Sequence, residues 1–302
     1  MSALSTTDAP AAGHAFGAAT SKAASRRSVR DALLLMDGSD ADERLVKVAD
    51  CVAATFDTHL EAALLNEIPI PNIFANDVNV DSIYSFREFD AQAIERLAKE
   101  RTERLERTGQ RFEFRRIEAL SFEMEIVVSH MARTVDLVVV ARPYDGTARR
   151  PELLEAILFE GGTPTLVVPP MASAMDPKAP VVIGWKNTLE CARAVTGALP
   201  FLQRAASVHL VSIEEHDAEE SSGREPMADM ARHIARHGVD VEIRHLPRWD
   251  HPAQALLHEA GVIGAGLLVT GAYGRSRLRE WILGGVTREL LQETQLPTLL
   301  AH

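Results

Sequence analysis

The chain has 302 residues, 46% of them hydrophobic and 25% charged. That is enough apolar material for about two ordinary domains and too much for a wholly disordered chain. Its 32 basic and 43 acidic residues leave a net charge of −11, a field that opposes nucleic acid as the main partner. Two cysteines, Cys51 and Cys191, supply neither a disulfide framework nor a cysteine-rich zinc site. No apolar run approaches the ~18 residues of a membrane helix, so the expectation is a cytoplasmic protein without membrane contact.

Residues 1–28 are rich in Ser and Ala, lack an apolar period and end with Arg26 and Arg27 before Ser28. A secretory signal puts basic residues first and an apolar core second, so this order predicts a flexible tail, with a weak transit-type composition as the alternative. The apolar run Ala32 to Met36 predicts a strand, followed by the turn residues Asp37, Gly38 and Ser39. Helical spacing of Leu45, Val46, Val48, Ala49, Val52 and Ala53 predicts a helix over Asp42 to Phe56. Further helices are predicted over Asp90 to Arg107 and Ser121 to Arg133. The mixed charges from Glu95 to Glu118 suggest a solvated helix face, with pairs such as Glu100 and Arg104. Val135 to Val140 and Thr163 to Val168 are continuous apolar stretches, the mark of strands buried on both faces.

The pattern then repeats. Pro169 to Pro180, with two prolines at its start and no apolar period, predicts a linker centred on residues 171–180. A strand at Val181 to Trp185 is followed by Lys186, Asn187 and Thr188, then a helix over Glu190 to Leu202. Helices at Met227 to His237 and His251 to Gly261 flank an alternating strand, Val239 to Leu246, with Gly238 as a helix stop. Ala265 to Thr270 and Leu296 to Leu300 match the last two strands of the first half. Strands thus alternate with helices in each half, the pattern expected of an α/β fold with a parallel five-stranded sheet flanked by helices in each domain. The predicted domains are residues 29–170 and 181–302.

In open parallel sheets ligands bind beyond the carboxyl ends of the strands. The richest such stretch follows Ala265 to Thr270. Gly271 and Gly274 come directly after the strand, nine residues separate Gly274 from Gly284, and Gly285, Val286 and Thr287 open a helix. Glycine allows close backbone approach, and amides at a helix start bind anions. Arg275, Arg277, Arg279 and Arg288 make this the most basic stretch of an acidic protein. Two glycine loops around a positive segment suit a polyphosphate.

These residues resemble the universal stress protein family in its tandem two-domain form. Gly271, Gly274 and Gly284 match the family's nucleotide-loop spacing. Gly285 replaces its usual Ser or Thr, and Thr287 matches a further hydroxyl position. The resemblance implies two tandem Rossmann-like domains of the adenine nucleotide alpha hydrolase-like type. They would pack as an intrachain pseudo-dimer through the final strands of the halves. It further implies binding of ATP or another adenine nucleotide with Mg²⁺ in the C-terminal half, and a regulatory role in the stress response with a protein partner. Gly271, Gly274, Gly284, Gly285, Val286 and Thr287 would hold phosphates and Arg275 would screen their charge. Gly184, Trp185 and Ser212, at strand ends, would frame the base.

Both halves depart from the family pattern. In the first, Asp37, Gly38 and Ser39 match the first-strand motif, whose Asp contacts the nucleoside, but no glycine loop follows Val140. In the second the loop is present, but Lys186 stands where the family Asp belongs. A ligand-free interaction scaffold with decayed sites is therefore the competing reading, with the glycines as fold glycines and Asp37 as a turn cap. Trp185 and Trp281 suit packing better than base stacking. His233 and His237 share a helix face, yet nothing fixes further ligands, so no metal site is expected. Cys51 and Cys191 lie on apolar helix faces as small hydrophobes. There is no Ser–His–Asp set and no Walker-type lysine loop, so no catalytic residue is assigned and ATP hydrolysis would be slow at most. Association of two chains is left open.

Overall fold

The computed structural model describes residues 28–68, 80–143, 151–172, 174–214, 226–272 and 285–302, with backbone alone for 80–90. The predicted tail therefore lies outside the described residues except for Ser28. In the first half, β1 (Asp31–Met36), β2 (His59–Ile68), β3 (Phe112–Leu120), β4 (Leu137–Ala141) and β5 (Thr165–Val168) alternate with helices. These are α1 (Ala41–Phe56), α2 (Val80–Glu106), α3 (Ser121–Ala132) and α4 (Pro151–Ala156), the last continued by a π turn over Ile157–Gly161. The second half repeats the order: β6 (Val181–Gly184), α5 (Leu189–Leu202), β7 (Val208–Ile213), α6 (Pro226–Arg236) and β8 (Val241–Leu246). It closes with α7 (Pro252–Ile263), β9 (Leu267–Gly271), α8 (Gly285–Glu293) and β10 (Thr298–Ala301).

The ten strands form one sheet in the order β3-β2-β1-β4-β5-β10-β9-β6-β7-β8. Within each half every pairing is parallel, and β5 meets β10 antiparallel, with Leu166 opposite Leu299. The final strands of the halves thus join, as the resemblance implied. The seam repeats its own chemistry. Thr165 and Thr298, both fully buried, donate their hydroxyls to the carbonyls of Thr163 and Leu296, each at 3.1 Å. Local acceptors satisfy these buried hydroxyls, so two β-branched residues can pack at the centre of a ten-stranded sheet.

Strands covered on both faces must be apolar on both, and the central ones are: Leu33, Leu34, Val138 and Val139 are fully buried. Under one face a single core runs across both halves, with α1 and α5 side by side. Two separate clusters cover the other face, one with α3 and α4 and one with α7 and α8. Phe56 of α1 meets Phe201 of α5 edge-on at 4.9 Å. Arg204 lies 4.3 Å above the Phe56 ring and donates to the Thr55 carbonyl at 3.2 Å. The 169–180 connection is not a free linker. Ala172 and Met175 are buried, and the half-buried Cys51 thiol donates to the Met175 carbonyl at 2.8 Å. Burial raises that thiol's pKa, which suits a packing role.

The charged stretch after residue 95 differs from expectation. Arg104 pairs with Glu43 of α1 at 2.8 Å, and Glu100 with Arg101 at 3.0 Å, rather than Glu100 with Arg104. Packing of α2 onto α1 offered Arg104 a better-placed carboxylate than its own helix did, and that guanidinium holds the Glu43 carboxyl below its usual range. Among the described residues no helix is long and apolar enough to cross a membrane.

Arg142, which follows β4, is only 8% exposed and donates from Nη1 to the carbonyls of Gln292 and Thr294, both at 3.0 Å. These are orphan carbonyls at the C-terminal end of α8, so a residue of the first half caps a helix of the second. Arg142→Ala should lower the unfolding free energy by about 2 kcal/mol, the scale of buried hydrogen bonds to a charged group. An unchanged urea midpoint and slope would remove the cap from any role in joining the halves.

Candidate functional site

Strand order reverses between β6 and β9 in the second half and between β1 and β4 in the first. The crevice at such a switch point, beyond the carboxyl ends of the strands, is where this class of sheet binds ligands. Sheet register sets the residues that meet there. Gly184 pairs with Thr270, so Trp185 and Lys186 lead out of β6 beside Gly271 and Ala272. Leu34 pairs with Val139, so the same count makes Met36, Asp37, Ala141 and Arg142 their counterparts. Matching hydrogen bonds support the equivalence: the Ala272 amide donates to Ala301 at 2.8 Å and the Arg142 amide to Val168 at 2.9 Å. Lys186 therefore occupies the position of Asp37, as the sequence pattern had it.

At the second switch point Gly271 ends β9 against the start of α5. A Cβ built there would lie 2.6 Å from the Cys191 amide nitrogen and 2.8 Å from the Glu190 carbonyl carbon. Only glycine permits that approach without moving the helix, because the neighbours are backbone atoms. Thr188 caps α5, its hydroxyl accepting from the Cys191 amide at 3.4 Å. Trp185 is buried, and its amide donates to the Val211 carbonyl at 2.7 Å. Gly184 packs under Leu256, whose Cδ2 would lie 2.6 Å from an added Cβ. Ser212, at the end of β7, shares a 3.0 Å hydrogen bond with His245 of β8. Gly285 and Val286 begin α8 exposed, while Thr287 is buried in its first turn. Gly274, Arg275, Gly284, the other loop arginines and Trp281 lie outside the described residues.

The first switch point is built differently. Asp37, Gly38 and Ser39 turn the chain into α1, with Gly38 at φ 80° and the Ser39 amide donating to Asp37 Oδ1 at 3.0 Å. The Asp37 carboxylate thus caps its own turn. Asp42, in the first turn of α1 and fully buried, accepts from the amides of Asp37 at 3.2 Å and Gly38 at 3.0 Å. Arg101 of α2 completes the clamp, donating from Nε to Asp42 at 2.9 Å and from Nη2 to the Ser39 carbonyl at 3.3 Å. The protein's own carboxylate occupies the amides of this loop. Burial pushes the Asp42 carboxyl up, against the pull of Arg101. Ala141 replaces the close-approach glycine, and Arg142 turns away to cap α8. Register places Cys191 at the position of Asp42, so the second half has no carboxylate there.

Because β5 and β10 are antiparallel, the carboxyl ends of the two halves face opposite edges of the sheet. Asp37 and the glycine loop therefore cannot complete one site within a chain, although each is the piece that the other half lacks. Sequence reading missed Asp42, Arg142 and Glu190 as site-defining residues. The signal for Asp42 was a further acid, after Asp40, five residues beyond Asp37. For Arg142 it was a basic residue directly after a buried strand. Glu190 carries no local signal, because an acid in the first turn of a helix is ordinary. His233 and His237 meet edge-on with ring centroids 4.9 Å apart, and among the described residues no three potential ligands cluster to hold a metal.

Comparisons agree with this architecture. Residues 180–302 match the model of the universal stress protein family. Over 90% of the chain and 97% of the other, the fold is similar to a universal stress protein from Archaeoglobus fulgidus, with a TM-score of 0.66 at 13% identity. A Pseudomonas aeruginosa protein assigned to the universal stress proteins matches over 90% of this chain and 93% of its own, with a TM-score of 0.58 at 15% identity. No curated protein sequence matches the chain significantly.

Two substitutions test the contrast between the switch points. Asp42→Ala strands two loop amides and the Arg101 guanidinium, and should lower stability by about 3 kcal/mol in thermal or urea unfolding; a loss within error would mean that the clamp is incidental. Gly271→Ala forces α5 away from β9 and should lower stability by about 2 kcal/mol. A neutral result there would show that the helix yields freely.

Proposed function

We propose that residues 29–170 and 181–302 are two universal-stress-type domains joined by 171–180, and that the second binds an adenine nucleotide of the ATP type. The observation that carries this reading is Gly271 meeting the start of α5 where the strand order reverses. The glycine-loop spacing of Gly274 and Gly284 begins there, and α8 opens with exposed Gly285. Amides of the loop and of the α8 start hold the phosphates, with the Thr287 hydroxyl near and Arg275 supplying charge. Gly184, Trp185 and Ser212 line the edge where the base rests. Lys186, a donor where the family has an acceptor, changes how the nucleoside end is held.

The protein acts in this reading as a nucleotide-responsive cytoplasmic regulator, its bound state read by a protein partner. Hydrolysis of the nucleotide is slow at most in this reading. The first domain is a scaffold half, because Asp42 fills its loop and Arg142 serves the joint between halves. That feature favours the second reading, a chain that has lost ligand binding altogether.

Equilibrium titration with a fluorescent ATP analogue and Mg²⁺ separates the two. Wild type should bind, and Gly274→Val combined with Gly284→Val should weaken binding by about a hundredfold or more, equivalent to two decades in Kd. Folded wild type that binds nothing up to millimolar analogue would leave the scaffold reading.

A further inference from the structure

Glu190 stands in the first turn of α5 with 7% of its surface exposed, and its Oε2 has no hydrogen-bond partner. A carboxylate oxygen removed from water without a donor is strongly unfavourable, and folded proteins meet such groups with a donor or a cation. Its position is specific. A Cβ placed on Gly271 would fall 2.9 Å from Glu190 Cβ, so the side chain leaves α5 where the chain departs β9 for the glycine loop. By register the first half has Ala41 and Ala141 at these two places. The acid and the glycine occur together only where the glycine-loop sequence occurs.

We propose that Glu190 is the protein's ligand to a divalent cation that arrives with the phosphates of the bound nucleotide. The inference rests on the nucleotide reading above. Mg²⁺ takes oxygen ligands, keeps several waters, and is commonly held by one or two carboxylates together with substrate phosphates. A bare carboxylate beside a polyphosphate would repel it, and a cation shared between them reverses the sign of that interaction. The Glu190 carboxylate then makes nucleotide affinity depend on the cation, and ligand and metal become mutually required.

The test titrates the fluorescent ATP analogue into full-length wild type and Glu190→Gln, each with Mg²⁺ and with EDTA. Wild type should bind about tenfold or more tighter with Mg²⁺, and Glu190→Gln should lose that difference while its EDTA affinity stays equal or improves. A thermal melt of the unliganded proteins should place Glu190→Gln at or above wild type, because an unpartnered buried charge has gone. If Glu190→Gln does not fold, Glu190→Asp takes its place and should retain a reduced Mg²⁺ dependence. Retention of the full wild-type Mg²⁺ dependence by the variant overturns the inference and leaves the nucleotide reading intact. Equal weakening with Mg²⁺ and EDTA overturns it too, assigning Glu190 to a hydrogen-bond donor of the nucleotide. No binding by wild type in either buffer overturns both.

Discussion

The antiparallel pairing of β5 with β10 is the constraint on which the molecule depends. Two parallel sheets, each with an exposed final strand, would present unpaired amides and carbonyls at an edge open to association. Joining the edges within one chain closes both. It also buries Thr165, Leu166, Thr298 and Leu299 in the centre of a ten-stranded sheet. Every other joint between the halves follows from this seam: α1 and α5 come side by side, the ring of Phe56 meets Phe201, and Arg142 reaches the end of α8.

The same pairing explains why two incomplete sites are not one complete site. Antiparallel joining turns the carboxyl ends of the halves to opposite edges. Each switch point must then work with its own residues. In the first half the loop amides face an internal carboxylate, and the position after β4 holds the halves together. In the second half the equivalent carboxylate is absent, the glycine remains, and a buried acid lies beside it. The halves thus share one backbone plan and build its two switch points differently. Duplication permits that difference, because a site lost from one half leaves the other half's edge untouched.

A loop's capacity for anions is decided by what already occupies its amides. Asp37, Gly38 and Ser39 look like a ligand loop as a string of letters, and Gly38 adopts the left-handed conformation that such a turn needs. Five residues from Asp37, Asp42 supplies the anion from within. Lys186, Asn187 and Thr188 lack the familiar acid yet belong to the half whose glycine sits so near helix backbone that an added Cβ would lie 2.6 Å from the Cys191 amide nitrogen. The first-strand motif is therefore a weaker guide to a free loop than the contact of Gly271 with the start of α5.

The sequence by itself determined the repeat, the α/β class and the positions of most elements. Apolar runs such as Val138 to Val140 must be covered on both faces, and helical spacing in Asp42 to Phe56 can bury only one stripe. It also showed the glycine spacing after the buried strand at Ala265 to Thr270, since such spacing is a local property. Only the tertiary structure decided what Asp42, Arg142 and Glu190 do. The groups around them are distant in sequence: Arg101 pairs with Asp42, the end of α8 accepts from Arg142, and Gly271 lies beside Glu190. The same holds for Arg104, which left the expected i, i+4 pairing for Glu43 once α2 packed on α1. Burial and pairing are properties of assembled surfaces, and a charged letter in a helix has the same local pattern whether it ends in water or in the core.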